Sequence, residues 1–335
     1  FNINSPKQLG VALFEELKLP CKKKTKSGYS TNAEVLESLR YDHAVIEYIL
    51  EYRSLTKLKS TYCDGLLKVI APDGRIHTSF NQVETRTGRT PLGRELRKFF
   101  IAGDGETLID ADYSQIELRV LADLSNDENM INAFNSGVDI HTTTASQVFG
   151  LPVDMITKEL RSRAKAVNFG IVYGIGAFSL AKDIGVSRKE AQEYINNYLA
   201  TFSGVDKYMN HMIELAKERG YSETLFNRRR YLPELSSSNH MLRAFGERVA
   251  RNMPIQGTAA DIIKIAMVKV DKRLTDENMK SRLILQVHDE LIVEAPEDEA
   301  QKALEIVTQE MENACKMKVC LRADGKIGKT WFDAH

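Results

Sequence analysis

The sequence has 335 residues, 43% of them hydrophobic, and its 46 Lys and Arg balance 46 Asp and Glu. A chain of that length can bury a substantial core but exceeds what one core usually holds, so subdomains are expected. A net charge of zero argues against a surface coated in positive charge, and no apolar run reaches the roughly 18 residues of a membrane-spanning helix.

The N-terminus, FNINSPKQLG, lacks the charged-then-apolar order of a signal peptide, so a soluble intracellular protein is expected. Cys21, Cys63, Cys315 and Cys320 lack the paired spacing of a zinc site and are expected as free thiols. Charge is unevenly spread: residues 1–100 carry 17 Lys and Arg against 11 Asp and Glu, and residues 101–335 carry 29 against 35. A basic front could grip phosphates and an acidic rear hold cations, although a neutral protein can show this imbalance by chance.

Along the chain, Ser5 precedes Pro6 at a first helical position with Gln8 three residues on, and Thr31 to Glu34 repeats the capping-box pattern, so helices are expected to start at both. Between them KKKTKSG (22–28) reads as a basic loop. In YRSLTKLKSTY (52–62), Lys57 and Lys59 interleave with Leu55 and Leu58 as on a helix with one buried face. TLIDADY from residue 107 reads as a buried strand and SQIELRVLADL after it as a helix. Residues 154–200 read as a helical block interrupted by Gly170, Gly174 and Gly176, with a capping box at Ser187 to Glu190 opening a helix through about Tyr198. RLILQV (282–287) and LIVEA (291–295) are apolar strands separated by His288, Asp289 and Glu290, which predicts a hairpin with polar side chains at its turn.

Two strands therefore deliver carboxylates at their ends, Asp110 and Asp112 from one and Asp289 and Glu290 from the other. Like charges that converge need a cation, and Mg²⁺ binds through one or two carboxylates while keeping room for water and phosphate. Acids common at turns would give the same spacing, so a further feature has to decide. RSRAKAVNFGIVYG (161–174) supplies it by setting Arg161, Lys165, Phe169 and Tyr173 at four-residue intervals on one helix face. The cations can hold a triphosphate and the aromatics can pack on a sugar or base. Gly170 inside such a helix costs about 1 kcal/mol against Ala, which suggests close approach of something such as a templating base. The Gly328-Lys329-Thr330 run is not a phosphate loop, because Ala323 stands where the first glycine is required.

DADYSQIELRVLA (110–122), RSRAKAVNFGIVYG (161–174) and LQVHDELIVEAP (285–296), in this order, resemble the three core motifs of the bacterial DNA polymerase I family. RRRYLPEL (228–235), RVARNMPIQGTAADIIK (248–264), YRSLTKLKSTY and WFDAH (331–335) resemble further segments, so the likeness covers essentially the whole chain. It implies an α+β right-hand fold with an antiparallel palm sheet, helical fingers and a helical thumb. Residues 1–75 would be a thumb truncated at its N-terminal side, 76–125 the first part of the palm, 126–204 the fingers, and 205–335 the second part of the palm with some fingers helix.

Carried over residue by residue, the resemblance implies a template-directed DNA polymerase that extends a primer 3′ end with deoxynucleoside triphosphates and releases pyrophosphate. Asp112 and Asp289 would bridge two Mg²⁺ ions, for which Mn²⁺ could substitute, with the backbone carbonyl of Tyr113 helping and Glu290 as an auxiliary acid. Arg161, Lys165 and His141 would contact the triphosphate, with Lys165 a proton donor to pyrophosphate, and Phe169 and Tyr173 would form the sugar and base platform. Phe rather than Tyr at 169 implies discrimination against nucleotides without a 3′-hydroxyl. Gln115 belongs to the nucleotide-binding set, and Glu117 would fill the space of a ribose 2′-hydroxyl, although Ser114 to Glu117 also reads as a capping box. Arg248, Asn252 and Gln256 with His288 would meet the minor groove near the primer terminus, and Arg89, Arg229, Lys57 and Lys59 would contact DNA elsewhere.

The chain departs from the family after Arg89, where TGRTPLGRELRK runs straight through and the family carries a further segment ending in a stretch like DPNLQNIPIR. If that segment is truly deleted, the alternative is a polymerase-like DNA-binding module without activity. Ser162 stands where a second arginine is expected, with Arg163 following. The chain begins inside the expected thumb, so no proofreading exonuclease is expected in it. A monomer in a bacterial cytosol, bound to primer-template DNA and to no membrane, completes the expectation. A single-subunit RNA polymerase would share the paired aspartates, and Glu117 argues against it.

Overall fold

The computed structural model describes residues 1–21, 24–25, 28–78, 94–137 and 139–335. It divides into two compact units, Phe1–Thr85 and Arg86–His335. Most of the basic loop at 22–28 and the whole surround of Arg89 lie outside the described residues.

The first unit is helical. Its helix Pro6–Val11 starts as the sequence predicts, with the Ser5 hydroxyl accepting from the backbone N–H of Gln8 at 3.4 Å. The reciprocal half of the box is not formed, because Gln8 Oε1 accepts from the N–H of Asn2 instead. The second helix, Ala33–Glu37, is capped by Asn32 accepting from Val35 N–H at 2.9 Å, which corrects the expected Thr31 to Glu34 box by one residue. Val45–Lys57 is a helix that runs on through a wider turn at Leu58–Cys63. Leu9, Leu13, Leu36, Leu39 and Ile46 form the core of this unit. Leu55 and Leu58 are exposed rather than on a buried face, so the expectation that they anchor the Lys57 and Lys59 stripe does not hold within it.

The second unit is built on a four-stranded antiparallel sheet. Its strands are β1 (Glu106–Tyr113), β2 (Arg282–Val287), β3 (Glu290–Pro296) and β4 (Ala323–Gly328), in the spatial order β2-β3-β1-β4. Strand alternation splits β1 between two environments. Ile109, Ala111 and Tyr113 join the main core under helices α4 (His240–Asp276) and α5 (Ala300–Glu312), and the Tyr113 hydroxyl donates to the Met311 carbonyl at 2.6 Å. On the opposite face Leu108 and Ile292 pack on Trp331 of the terminal helix α6 (Trp331–Ala334), while Asp110 and Asp112 share that face.

Helix α1 (Ile116–Ser125) follows β1, and α2 (Ile140–Phe149) and α3 (Lys158–Val172) pack on each other further along. Thr157 caps α3 by accepting from Leu160 N–H. The predicted box at Ser187 and Glu190 is present in both directions and opens the helix Arg188–Thr201. No helix among the described residues is long and apolar enough to cross a membrane, and the four cysteines are free thiols.

Candidate active site

The β2–β3 hairpin turns on two residues, His288 and Asp289, with His288 in the left-handed region at φ +57°. Glu290, expected at the turn, is therefore the first residue of β3 and pairs directly across from Asp112. The Tyr113 N–H donates to the Asp289 carbonyl at 3.1 Å, a backbone bond that fastens the hairpin tip to the end of β1. A strand end and a hairpin turn distant in sequence thereby bring the carboxylates of Asp112 and Asp289 to one place.

Both carboxylates line an open cleft of about 250 Å³, with the strand end at Tyr113, Gln115 and Glu117 from the start of α1, His141 from α2, and Arg161, Lys165 and Phe169 from α3. Nine of the residues named from sequence thus share one cavity. Burial first, and then the carboxylates of Asp289, Glu290 and Asp110, push the Asp112 pKa up to about 8 against the pull of Arg97. Its Oδ1 is buried with no hydrogen-bond partner among the described residues. An orphaned carboxylate oxygen beside a second carboxylate is a donor set that suits a hard divalent cation.

The cationic wall is organised by residues the sequence reading passed over. Arg161 makes a two-pronged pair with Asp139, at 2.8 and 2.9 Å, and Asp139 also caps α2 by accepting from Thr142 N–H at 2.8 Å. These bonds outweigh burial and hold the Asp139 carboxyl far below its usual range. His141 is 2% exposed, and burial lowers its pKa to about 4. Phe169 lies beside its ring at 5.8 Å and stacks on Tyr173 at 6.2 Å with planes 18° apart.

The Tyr173 hydroxyl donates to Glu117 Oε2 at 2.8 Å. Gln115, not Ser114, stands at the N-cap of α1, in a left-handed conformation and without a side-chain cap, so the capping-box reading of Ser114 to Glu117 is overturned. Gly170 faces Ile175, whose Cγ2 would stand 3.1 Å from an added Cβ, and the close approach there comes from the chain's own packing rather than from a templating base.

Glu290 does not line the cleft. It is 6% exposed and accepts from Arg97 Nη2 at 2.7 Å, beneath the sheet, where Asp110 accepts from Trp331 Nε1 at 3.0 Å. His335 Nδ1 lies 3.3 Å from Asp110 and 3.6 Å from Glu290. Burial and Glu290 raise the Asp110 pKa to about 7. Asp110, Glu290 and His335 are the one group of three possible metal ligands among the described residues, and the Arg97 guanidinium already supplies a positive charge there.

The other expected residues of the second unit do not line the cleft. Arg248, Asn252 and Gln256 follow one another at four-residue spacing on α4, and the Arg248 side chain would lie 3.3 Å from a Cβ added at Gly174. His288 sits in the hairpin turn, its carbonyl accepting from Gln286 Nε2 at 2.7 Å. Arg229 is on a short ribbon, pairing with Glu223 and stacking 4.6 Å above Tyr221. Lys57 and Lys59 belong to the first unit, where Lys59 pairs with Asp64 at 2.7 Å.

An antiparallel sheet that ends in two adjacent carboxylates, faced by a helix carrying cations and a stacked aromatic pair, defines a class of proteins that handle phosphorylated substrates with metal ions. The model of DNA polymerase family A matches residues 1–333, and the chain belongs to that family. It is 52% identical to DNA polymerase I of Caldicellulosiruptor bescii, over 99% of this chain and 41% of that protein. It is 51% identical to DNA polymerase I of Bacillus subtilis (strain 168), over 100% of this chain and 40% of that protein. The chain thus spans about two fifths of the length of these curated relatives.

The alignment with the latter runs over 350 positions against 335 residues here, so relatives carry residues that this chain lacks. Among solved structures, the POL domain of Pol1 from M. smegmatis in complex with DNA primer-template and dNTP matches at TM-score 0.90 and 44% identity, over 100% of this chain and 62% of that one. The expected α+β right-hand polymerase fold is the one observed, and the family is metal-dependent.

Proposed function

We propose that this chain is the catalytic part of a template-directed DNA polymerase, extending a primer with deoxynucleoside triphosphates. The observation that carries the proposal is the single cleft that gathers Asp112 and Asp289 opposite Arg161, Lys165, His141 and Phe169. In this reading Asp112 and Asp289, with the strand end at Tyr113, hold two Mg²⁺ ions, and Mn²⁺ can replace them. Bound there, the ions supply acidification of the primer 3′-hydroxyl and neutralisation of the pyrophosphate charge.

The chain's own residues do the rest. Arg161, Lys165 and His141 orient the triphosphate, and Lys165 gives a proton to the departing pyrophosphate. Phe169 and Tyr173 hold the sugar and base, while Glu117, anchored by the Tyr173 hydroxyl, excludes a ribose 2′-hydroxyl. Gln115 borders the same nucleotide pocket. Glu290 acts from behind, through its charge on Asp112, and not by touching substrate. Arg248, Asn252, Gln256 and His288 follow the minor groove at the primer end, and Arg229, Lys57, Lys59 and Arg89 meet DNA backbone. Residues 1–75 then serve as thumb, 126–204 as fingers, and the sheet-bearing remainder as palm. The enzyme works as a monomer in a bacterial cytosol.

Primer extension with Mg²⁺ and four deoxynucleotides, comparing the chain with Asp112→Ala and Asp289→Ala, tests this. Extension abolished by both substitutions is expected. Binding of primed DNA without any extension by the unaltered chain would overturn the enzyme reading in favour of a DNA-binding module. Equal use of ribonucleotides would favour the RNA polymerase reading.

A further inference from the structure

Asn168 lies inside α3, 0% exposed, and an amide in that position is costly unless its polar atoms are satisfied. Its partners both come from α2. Thr144 Oγ1, also 0% exposed, donates to Asn168 Oδ1 at 3.2 Å, and Asn168 Nδ2 stands 3.0 Å from His141 Nδ1. Thr144 and His141 are three residues apart on α2, one above the other on the helix face, so one amide can reach both. In this arrangement the Thr144 hydroxyl donates to the amide oxygen and the NH₂ group faces the ring, and an NH₂ group has no lone pair to offer. His141 Nδ1 is therefore an acceptor without a proton, and the proton of the neutral ring sits on Nε2.

We infer that Asn168, oriented by Thr144, is a positioning residue that locks His141 as the Nε2–H tautomer, so that His141 meets the anionic nucleotide as a hydrogen-bond donor and not as a cation. The inference rests on the polymerase reading for the identity of the ligand, but not for the tautomer. The charges around the ring agree with it. Arg161 and Lys165 on α3 both oppose protonation, Asp139 at the cap of α2 favours it, and Glu117, Asp112 and Asp289 line the same cleft. Burial decides the balance against the imidazolium. Protonating Nδ1 would also set an N–H against the Asn168 NH₂, two donors face to face. With Arg161 and Lys165 already in the cleft, a third cation would add repulsion among them, whereas a neutral donor adds a directed bond at no such cost.

The test has a spectroscopic arm that needs no activity. The protein holds seven histidines, and the ring nitrogen signals of His141 are assigned in ¹⁵N-histidine-labelled protein as those lost in His141→Gln. The expected spectrum shows protonated Nε2 and bare Nδ1, unchanged from pH 8 down to about 5.5. An Nδ1–H signature, an average of two tautomers, or titration near pH 6.5 would overturn the inference.

Asn168→Asp keeps the shape but places an acceptor on Nδ1, so the ring is expected to take a proton there and the nucleotide KM to become pH-dependent. Thr144→Val leaves the hydroxyl position apolar and the amide free to turn. A mixture of tautomers and a KM higher by roughly tenfold, with kcat changed less, is expected from it. Should Asn168→Asp fail to fold, the wild-type spectrum and Thr144→Val still decide. Unaltered KM and unaltered tautomer in the folded variants would sink the positioning role alone. Failure of the wild-type chain to extend a primer would instead sink the polymerase reading and leave the spectrum to judge the tautomer.

Discussion

Asp112 is under electrostatic pressure that a simple substitution should release. Burial and three neighbouring carboxylates raise its pKa from 3.8 to about 8 in the folded protein, while the unfolded chain titrates near the ordinary value. Folding therefore disfavours the ionised form. The penalty is absent below about pH 4, grows as the pH rises from 4 to 8, and is complete above that. At about 1.4 kcal/mol per pKa unit the ceiling is about 5 to 6 kcal/mol, and solvent screening at the open cleft brings the expected value to about 2 to 4 kcal/mol. Asp112→Asn should stabilise the metal-free protein by that amount at pH 8.5 and change little near pH 4.5. Mg²⁺ should stabilise the wild type at pH 8.5, progressively less as protons compete for the carboxylates, and should leave Asp112→Asn almost unmoved. The readout is urea unfolding followed by fluorescence of Trp331, the one tryptophan, which is buried against the same sheet. A metal-free Asp112→Asn that is no more stable than wild type at pH 8.5, or Mg²⁺ acting equally on both, would refute the reasoning.

Arg97→Met removes the guanidinium paired with buried Glu290 and should cost about 3 to 5 kcal/mol at pH 8.5, less at pH 6 where Asp110 takes up a proton, as read by the same unfolding curves. Gly328→Ala would set a Cβ 2.5 Å from the backbone N of Ala334, so it should displace α6 at a cost of about 1 to 3 kcal/mol and expose Trp331, visible as a red shift of its emission. Glu117→Ala should leave deoxynucleotide use largely intact and raise ribonucleotide incorporation, measured as a ratio of kcat/KM values; an unchanged ratio would remove Glu117 from the sugar-discriminating role.

Much of the cleft was legible because strand ends and helix faces have fixed periods. The strand at 107–113, the hairpin and the four-residue stripe from Arg161 to Tyr173 all follow from apolar and polar spacing, and those three pieces hold most of the cavity. What escaped depends on contacts that spacing cannot encode. Arg97 meets Glu290 across 193 residues and Trp331 meets Asp110 across 221, and His335 stands beside the same two acids. Asn168 was read as part of a motif, and its partnership with α2 appears only when two helices pack. The misplacement of Glu290 has a local cause. Three polar residues in a row suggest a three-residue turn, but His288 adopts the left-handed conformation usually left to Gly or Asn, and two residues suffice. Thr31 and Asn32 are adjacent and both able to cap, so the choice between them falls to tertiary context.

The period of the strand also explains why the sheet buries acids on its far face. Asp112 can reach the cleft only at the end of β1, and Asp110, two residues earlier on the same face, must then lie under α6 beside Glu290. The Trp331 N–H and Arg97 make this tolerable, and the cluster in turn raises the pKa of Asp112. Asp110→Asn keeps an acceptor for Trp331 and deletes one of the charges that hold the proton on Asp112. The pH at which Mg²⁺ loses half its stabilising effect should therefore move down, while the plateau at high pH falls slightly because one attractive charge is gone. A midpoint that stays in place while the plateau falls would mean that Asp110 acts on the ion directly, and the coupling through Asp112 would have to be abandoned.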